Sequence, residues 1–419
     1  MEHPEKRISG SKGTELKGKR IVLGVTGSVS AYVSADIART LIRHGADVHA
    51  VMTRGALKIV HPNLLEWATG NPVVTELTGS IEHVAFTTGP GRADLILIAP
   101  ATGNTIGKMA SGIDDTPVTS YVSSALGAKI PILVCPAMHD TMLSHPIIQE
   151  NIRKLEKAGV SFVPPRMEEG KAKLPEPEAI LAAVISKLSK RDMDGIRVLI
   201  TGGPTVEPID AARVVTNRSS GKMAVALAGS AISRGADVTL VYGPGLAAPP
   251  SGGRVMSVET ARDMSHAVRN ELKSRSYDLF IAAAAVSDYA PAKLVKGKLS
   301  SADNHELSVV LRATPKVVNE VKRLSPKTVL VLFKAEAGRG TRAIANAKAR
   351  MKETGAELAV LNDISRNDVG FGTDDNEVAI IEPNGRTKHI GKRPKPEVAG
   401  EILTLALKLV RRRRGPRSR

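Results

Sequence analysis

Two stretches of the 419-residue chain decide its fold, GKRIVLGVTGS at 18–28 and GIRVLITGGPT at 195–205. Each has a basic start, an unbroken apolar run and a closing turn rich in Gly and Thr. A helical pattern follows in both halves, and then a glycine and a second apolar stretch, ADVHAVMT at 46–53 and ADVTLVYG at 236–243. Strand, helix, glycine at the helix end and strand is the order of a βαβ unit. Each half therefore opens with a βαβ unit.

Further apolar runs follow each unit and predict the remaining strands of two sheets. Continuous apolar strands are typical of parallel sheets that helices cover on both faces. We therefore predict an α/β protein with two doubly wound, Rossmann-like domains. The candidate buried strands are 93–102, 129–138, 277–286, 328–337 and 356–363.

The polar stretch SKRDMDG at 189–195 separates the halves and marks the predicted domain boundary. Four prolines predict a loop over 164–177, before the last helix of the first domain. We divide the chain into a polar N-terminal extension, two domains and a basic tail, at 1–17, 18–190, 191–410 and 411–419.

The charge of the chain predicts anionic partners. The formal net charge is +17, and six arginines lie within the last nine residues. Nucleic acid, lipid surfaces and phosphorylated small molecules all fit such a charge. Aromatic residues make up only 3% of the chain, which opposes a base-stacking surface. We predict a solvated tail at 411–419, with non-specific contact to nucleic acid as the alternative.

The sequence predicts neither a signal peptide nor a membrane span. The first 19 residues are polar and charged. The longest apolar runs are far shorter than the roughly 20 residues that a span needs. The single cysteine, Cys135, excludes a disulfide within the chain and fits a reducing compartment. We expect a cytoplasmic protein with no membrane partner.

Polar turns at strand ends are the first candidate binding residues. VTGSVS at 25–30 and APATGNT at 99–105 place hydroxyl groups and backbone N–H groups where a helix begins, an arrangement that accepts phosphate. Two such turns in one sheet favour a flavin or nucleotide site. TGGPT at 201–205 is a third phosphate cradle. SSGKM at 219–223 lacks the spacing of a Walker A loop.

The second half carries an insertion after its first strand. The distance from Thr201 to Gly235 is 15 residues longer than the matching distance from Thr26 to Gly45. The insertion, PTVEPIDAARVVTNRSSGK at 204–222, lies at the carboxyl end of a strand, where open α/β sheets bind ligands.

ILVCPAMHD at 132–140 raises the question of cysteine catalysis, because His139 follows Cys135 by four residues. Free cysteine is among the most buried residue types, so the apolar strand favours a core role for Cys135. His83 has no partner at metal spacing, and it stays open between a structural role and acid–base or anchoring chemistry. Lys296 and Lys298 lie in a loop where lysine either neutralises phosphate charge or is simply solvated. No metal-ligand set is predicted.

Together these residues resemble one family, the bifunctional phosphopantothenoylcysteine decarboxylase/phosphopantothenate–cysteine ligases of coenzyme A biosynthesis (CoaBC, also called Dfp). The resemblance runs from about residue 18 to about residue 410. Its motifs in the first half are GVTGS, IEHV, APAT and PAMH. In the second half they are TGGPTVEPID, RVVTNRSSGKM, AAAVSDY, GKLSS, ATPKVV, LFKAEA and LNDIS. The family implies a flavodoxin-like flavoprotein domain followed by a ligase domain.

The resemblance implies two reactions in sequence. The ligase half uses CTP with Mg²⁺ to turn 4′-phosphopantothenate into an acyl-cytidylate, and the amine of cysteine then displaces CMP. The other half uses FMN to oxidise the cysteinyl side chain, which loses CO₂ and is then reduced to 4′-phosphopantetheine. The family also implies a homo-oligomer of flavin-domain trimers and ligase-domain dimers, with sites between subunits. These anionic ligands explain the basic composition without any specific nucleic acid.

The resemblance also implies the site residues, motif by motif. His83 is the decarboxylase histidine, and the FMN contacts are Ser28, Thr53, Thr102 and Asn104. In the ligase half, Asn217 acts on the acyl intermediate, with Arg213 one turn before it, and Lys298 is needed to form the acyl-cytidylate. The implied CTP contacts are Ala282, Ala283, Ala284, Asp288, Lys298, Pro315, Lys316, Val317, Val318, Phe333, Lys348 and Lys352. The choice between CTP and ATP stays open.

Two departures from the bacterial pattern concern proton donation in the decarboxylase. Bacterial members have asparagine where this chain has His139, and they carry a proton-donating cysteine on a flap that reads RMEEGKAKLPEP here, at 166–177. The archaeal branch looks like this chain in both respects. We hypothesise that Lys171, Lys173 or His139 donates the proton. The missing cysteine also allows an alternative, a ligase whose first half is only a flavin-binding assembly module.

Overall fold

The computed structural model divides the chain into two compact units, Met1–Ser189 and Lys190–Arg419. The structure describes residues 7–295, 297–299, 306–336, 338, 340–363, 365, 368–370 and 372–415. Lys296 lies outside the described residues, and so does the end of the predicted tail, 416–419.

The elements of the first unit alternate between strands and helices. Its strands are β1 (Arg20–Val25), β2 (Asp47–Met52), β3 (Leu95–Ala101), β4 (Ile132–Pro136), β5 (Met138–His139), β6 (Ser161–Phe162), β7 (Arg166–Glu168) and β8 (Lys171–Lys173). Its helices are α1 (Ser34–Arg43), α2 (Arg54–Leu57), α3 (Pro62–Thr69), α4 (Glu82–Ala85), α5 (Gly103–Ser111), α6 (Pro117–Gly127), α7 (Asp140–Leu143), α8 (Pro146–Lys157) and α9 (Pro177–Leu188).

The main sheet of the first unit is parallel, in the order β2-β1-β3-β4-β6. This is the flavodoxin-like order, which confirms the predicted fold. Both faces of the sheet are covered: Leu23 packs into one apolar layer and its neighbour Val22 into the other. Each such fully buried side chain contributes about 1.5–3 kcal/mol relative to exposure.

The predicted loop at 164–177 is wrong in part, because it contains a hairpin. Strands β7 and β8 pair antiparallel, and β8 also pairs with β5. Glu169 and Gly170 connect them with φ of 51° and 67°, and two consecutive positive φ angles are typical of a type I′ hairpin turn. The prolines at 164, 165, 175 and 177 flank this hairpin.

The predicted N-terminal extension, 1–17, contributes to the first unit where it is described. Leu16 is buried, and its backbone N–H donates to the His44 carbonyl oxygen at 2.9 Å. Ile8 packs against the same apolar cluster. Residues 7–17 therefore pack against the first unit, which their polar composition does not predict.

The second unit begins with its own parallel strands. Its strands are β9 (Arg197–Gly202), β10 (Val206–Pro208), β11 (Val214–Thr216), β12 (Asp237–Tyr242), β13 (Arg254–Ser257), β14 (Leu279–Ala282), β15 (Tyr289–Pro291), β16 (Leu311–Ala313), β17 (Val329–Glu336), β18 (Leu358–Asp363), β19 (Asp375–Ile381) and β20 (Thr387–Pro394). Its helices are α10 (Lys222–Ser233), α11 (Ala261–Ser274), α12 (Val317–Leu324), α13 (Thr341–Thr354) and α14 (Lys395–Arg414).

Its main sheet has the order β13-β12-β9-β14-β17-β18-β19-β20. The pairings from β13 to β18 are parallel, and β19 and β20 add an antiparallel edge. The mostly parallel, Rossmann-like sheet is therefore confirmed. The order of strands along the sheet reverses between β9 and β14, which are themselves parallel. The insertion after β9 folds into the hairpin β10–β11.

Arg411–Arg414 of the predicted solvated tail are exposed, but they form the ordered end of α14. Arg413 forms an ion pair with Glu357, and Arg414 pairs with Asp278 at 2.6 Å. Arg411 donates to the Asp192 carbonyl oxygen at 2.8 Å. Arg413 and Arg414 form these ion pairs because α14 places them beside acidic side chains of the second unit. Although α14 has 20 residues, neither it nor any other described helix is long and apolar enough to cross a membrane.

Candidate active sites

A cavity of about 990 Å³ opens at the carboxyl ends of β1 and β3, where the strand order of the first sheet reverses. The structure brings the implied FMN contacts together there, since Ser28, Thr53, Thr102 and Asn104 all line it. The other lining residues are Gly27, Arg54, Gly55, Thr75, Glu76, Leu77, Gly103, Thr105, Lys108, Asp114, Asp115, Thr116, Pro117, Ala137, Met138 and Met142.

The two polar turns predicted from the sequence are joined by Thr26. Its buried hydroxyl donates to the Pro100 carbonyl oxygen at 2.8 Å and accepts from the Thr102 N–H at 3.0 Å. The Ser28 hydroxyl donates to the Ala137 carbonyl oxygen at 3.3 Å. The turn after β1 is thereby held against the turns after β3 and β4.

Close backbone approach and a helix N-terminus complete this wall of the cavity. A Cβ at Gly27 would lie 3.0 Å from the backbone of Gly55, so only glycine fits there without a shift. Thr102 caps α5 by accepting from the Thr105 N–H at 3.3 Å. The remaining N–H groups of that first turn are available to an anion.

His83 lies outside the residues that line this cavity. It sits on the short helix α4, which packs against α6. Its Nδ1 atom is buried without a hydrogen-bond partner in the described part of the chain. A buried polar atom without a partner costs free energy, so the His83 ring has an unsatisfied hydrogen-bonding atom.

The candidate proton donors meet on the β5–β8–β7 sheet. His139 is exposed and lies directly opposite Lys171 in the antiparallel pairing. Lys173 donates to Glu169 and to Glu168, each at 3.0 Å, and these bonds raise the pKa of the Lys173 ammonium group. The ammonium group of Lys173 is therefore a weaker acid than that of an unpaired lysine.

Cys135 is a core residue, as predicted. It lies on β4 with no exposed surface, and burial raises the pKa of its thiol to about 12. A thiol with such a pKa supplies almost no thiolate at neutral pH, so it is not a nucleophile.

The second unit has a cavity of about 470 Å³ that reaches the carboxyl ends of β9 and β14, the reversal point of its sheet. Asn217 and nine implied CTP contacts line it: Ala282, Ala283, Ala284, Asp288, Pro315, Lys316, Val317, Val318 and Phe333. The other lining residues are Thr201, Arg218, Ser219, Ser220, Gly221, Lys222, Met223, Ala224, Ala285, Val286, Leu332, Lys334, Ala335, Arg350, Asn362, Gly370, Asn376 and Lys395.

The second cavity is rich in cations that the sequence analysis missed. Lys395 is 4% exposed, and its ammonium group donates to the Gly370 carbonyl oxygen at 2.9 Å and to that of Thr373. Burial, and next the charge of Lys222, lower the pKa of Lys395 to about 8. Arg218 follows Asn217 directly, but Lys395 lies far along the chain in no recognisable motif.

Some implied ligase residues do not line the cavity. Lys298 is exposed, and so are Lys348 and Lys352, which are four residues apart on α13 and share one face of it. Arg213 and Asn217 flank the extended strand β11, so the expected single helical turn between them is wrong. In TGGPT only Thr201 lines the cavity, because Gly203, with φ of 75°, packs against the backbone of Gly243.

Fold and cavities together define a class, a two-domain α/β protein with one flavodoxin-like and one Rossmann-like ligand-binding unit. Residues 193–409 match the family model described as the DNA/pantothenate metabolism flavoprotein C-terminal domain. Residues 9–189 match the family model described as Flavoprotein.

Relatives align with nearly the whole chain. It is 46% identical over 406 residues to the coenzyme A biosynthesis bifunctional protein CoaBC of Thermococcus kodakarensis, covering 96% of this chain and 98% of the relative. It is 37% identical over 412 residues to the protein of the same name from Methanocaldococcus jannaschii, covering 98% of each. A crystal structure of the C-terminal domain of a CoaBC protein is 32% identical with a TM-score of 0.44, and covers 53% of this chain and 98% of that one.

The chain belongs to the CoaBC family of bifunctional coenzyme A biosynthesis proteins. It has both phosphopantothenate–cysteine ligase activity and phosphopantothenoylcysteine decarboxylase activity. The alternative of a ligase with a non-catalytic first half is not supported.

Proposed function

We propose that the second unit binds CTP in its cavity and activates 4′-phosphopantothenate as an acyl-cytidylate, which cysteine then consumes. The observation that carries this proposal is the convergence of nine implied nucleotide contacts on one cavity at the reversal point of the sheet. These residues come from three separate stretches of sequence, 282–288, 315–318 and 333, so their meeting is not a consequence of local order alone.

Each part of the second cavity has a distinct task in this proposal. The small side chains of 282–284 let a base approach the backbone at the end of β14, and the half-buried ring of Phe333 offers it an apolar face. Lys316, which pairs with Asp288, and Lys222 offset phosphate charge as pyrophosphate leaves. The Asn217 amide donates to the Ala285 carbonyl oxygen at 3.0 Å, which orients it for the acyl intermediate.

Mg²⁺ would enter this site with the nucleotide. In the described residues no group of three or more His, Cys, Asp or Glu side chains is arranged to hold a metal ion. Mg²⁺ commonly keeps several waters and uses substrate phosphates as ligands. We therefore assign its coordination to the triphosphate.

The first cavity fits FMN. Hydroxyl groups of Ser28, Thr53 and Thr102 surround a helix N-terminus, and the Gly27–Gly55 contact lets a planar ring approach the backbone. When bound, FMN would supply the oxidation and later reduction of the cysteinyl side chain that accompany decarboxylation. The chain's own part is to hold the phosphate, exclude water and deliver protons.

His83 would act in a cavity of a neighbouring subunit. It does not line the cavity of its own chain, and its side chain is only partly buried there. Val29 and Tyr32, close in sequence to the cavity residue Ser28, are 79% and 67% exposed. Large apolar side chains at a site rim favour an interface. This supports flavin-domain trimers with shared sites, and the ligase-domain dimers are proposed from the family resemblance.

The proposed proton donor in the decarboxylase is Lys171, with His139 opposite it. Both lie on the β5–β8 pairing, whose first residue on β5, Met138, itself lines the cavity together with Ala137. Lys173 is a poorer candidate because Glu168 and Glu169 retain its proton.

Product analysis tests the proposed function. The protein is incubated with 4′-phosphopantothenate, cysteine, Mg²⁺ and either CTP or ATP, and products are followed by mass spectrometry. We expect CMP, pyrophosphate and 4′-phosphopantetheine with CTP. Accumulation of the cysteine adduct without CO₂ would refute the decarboxylase assignment, and turnover with ATP alone would refute the choice of CTP.

A further inference from the structure

Asp210, the last residue of the motif TGGPTVEPID, is a heavily hydrogen-bonded carboxylate to which no role is assigned above. Its side chain is fully buried. Oδ1 accepts from the N–H groups of Ala212 and Arg213, each at 2.7 Å. Oδ2 accepts from the Arg213 guanidinium at 2.6 Å and from the Leu299 N–H at 3.1 Å.

These bonds connect two segments that are far apart in sequence. Asp210 lies on the loop between β10 and β11, whereas Leu299 follows Lys298 directly. The Arg213 guanidinium also donates to the Leu299 carbonyl oxygen at 3.2 Å. On the other side of Lys298, the Gly297 carbonyl oxygen accepts from the Ala211 N–H at 3.1 Å. Both neighbours of Lys298 are thus fixed to residues 210–213.

We propose that Asp210 is a positioning residue for Lys298, holding the backbone of 297–299 so that the Lys298 ammonium reaches the phosphate that it must neutralise. The inference rests on the role proposed for Lys298 in acyl-cytidylate formation. In that step the carboxylate oxygen of the substrate forms a bond to the α-phosphorus of CTP, and the bond to the leaving pyrophosphate breaks. Asp210 touches neither reactant and acts through the backbone.

The arrangement explains why an exposed lysine needs a buried anchor. A lysine side chain has four rotatable bonds and gains little precision from its own solvated contacts. A misplacement of about 1 Å in a catalytic group costs roughly 10²-fold in rate. The hydrogen bond from the Ala212 N–H leads the contacts that lower the pKa of Asp210 to about 2, so the anchor stays ionised throughout the working pH range.

A double-mutant cycle tests the proposal in the full chain. The rate of pyrophosphate release is measured with CTP, Mg²⁺ and 4′-phosphopantothenate in the absence of cysteine, for wild type, Asp210→Asn, Lys298→Gln and the double variant. We expect losses of roughly 10²-fold for Asp210→Asn and roughly 10²–10³-fold for Lys298→Gln. The double variant should match Lys298→Gln within a factor of about two, because Asp210 has no effect without the lysine.

The outcomes separate the inference from the function on which it rests. A wild-type rate for Lys298→Gln overturns the role of Lys298 itself. A large loss for Lys298→Gln with additive losses in the double variant overturns the positioning role, as does an unchanged rate for Asp210→Asn. CTP affinity, measured by calorimetry, should change less than the rate.

Asp263→Asn is the matched control for folding. Asp263 accepts from the Thr260 N–H at 3.0 Å and from its hydroxyl at 2.8 Å in the cap of α11. Its loss should not change pyrophosphate release. If Asp210→Asn fails to fold, Asp210→Glu keeps the charge but shifts both carboxylate oxygens relative to the Leu299 N–H. That variant should show the same lack of additivity with Lys298→Gln, and additivity there would overturn the proposal.

Discussion

The two cavities differ in the kind of implied residue that stays outside them. In the second unit, nine implied nucleotide contacts and Asn217 line one cavity, whereas Lys298, Lys348 and Lys352 are exposed outside it. In the first unit, the four implied FMN contacts converge, but His83 and His139 stay outside the cavity. Many of the implied cofactor and nucleotide contacts lie at the ends of parallel strands, which topology brings together. Elements outside the main sheet, such as α4 and β5, are not brought to the cavity by the sheet topology. The partners of residues on these elements need not belong to the same chain.

The cavities also differ in charge. Hydroxyl groups dominate the flavin-side contacts, and Lys108 in that wall is neutralised by Asp115 at 2.7 Å. The nucleotide-side cavity has lysines and arginines from five separate segments, at 218–222, 316, 334, 350 and 395. A triphosphate carries more charge than a flavin phosphate, so the contrast matches the proposed ligands.

Mixing inactive subunits tests the proposed sharing of the first cavity and should give the largest effect. His83→Asn removes the acid–base group, with a loss of roughly 10²–10⁴-fold. Gly27→Ala places a Cβ 3.0 Å from the Gly55 backbone and should abolish FMN binding. Random assembly of the two co-expressed variants should restore about a quarter of the wild-type decarboxylase rate, because sites combine parts of two subunits. Persistent inactivity would place the whole site within one chain.

Two lysines on one hairpin sharpen the assignment of the proton donor. Lys171→Met should slow the final reduction by about 10²-fold while CO₂ release continues. Lys173→Met should change it by less than about tenfold, because Glu168 and Glu169 already hold that proton. The measured quantity is the ratio of 4′-phosphopantetheine to CO₂. A normal ratio in the double variant would eliminate the lysines and leave His139.

Nucleotide binding should cause Lys395 in the second cavity to take up a proton. No such uptake is expected in the first cavity. The pKa of Lys395 lies near 8, below its usual 10.5, so between these values the folded protein is partly neutral there and gains stability as pH rises. A bound triphosphate favours the charged form and raises that pKa. At a pH of about 8.5, calorimetry in buffers of different ionisation enthalpy should show uptake of a fraction of a proton.

Lys395→Met should abolish this uptake, and Lys388→Met, on the exposed end of β20, should preserve it. Equal proton uptake in both variants would contradict the assignment to Lys395.

The arginine-rich helix end should contribute modestly to the stability of the second unit. Replacing Arg413 and Arg414 by alanine removes partly exposed ion pairs, which are worth about 0.2–1 kcal/mol each. The Tm of the second unit should fall by about 2–4 °C. Arg412→Ala is the control, because no hydrogen bond of its exposed side chain is seen to the described residues. If the Tm changes no more than in the control, these ion pairs do not stabilise the second unit, and the segment is a solvated tail.

Sequence reasoning reached the parallel sheets because their strands are continuous apolar runs, as in β3 and β14. It missed β19 and β20 because an antiparallel edge has a mixed polar pattern that resembles a surface loop. It placed Ala282 and Ser28 at cavities because they stand at strand ends in recognisable motifs. Lys395 lies in no such motif. Asp210 ends the motif TGGPTVEPID, but the role proposed for it depends on contacts with residues distant in sequence. The prolines of 164–177 led to the prediction of a loop. The consecutive Glu169 and Gly170 could have indicated the hairpin that is found there.

The most direct test of the two-cavity account is a crystal structure of the full chain with FMN and CTP bound. The account predicts FMN phosphate density beside Ser28, Thr53 and Thr102, and CTP density along 282–284 with Phe333 against it. It also predicts His83 of a second subunit at the flavin. Density for CTP outside the 470 Å³ cavity, or a flavin contacted by His83 of its own chain, would contradict it.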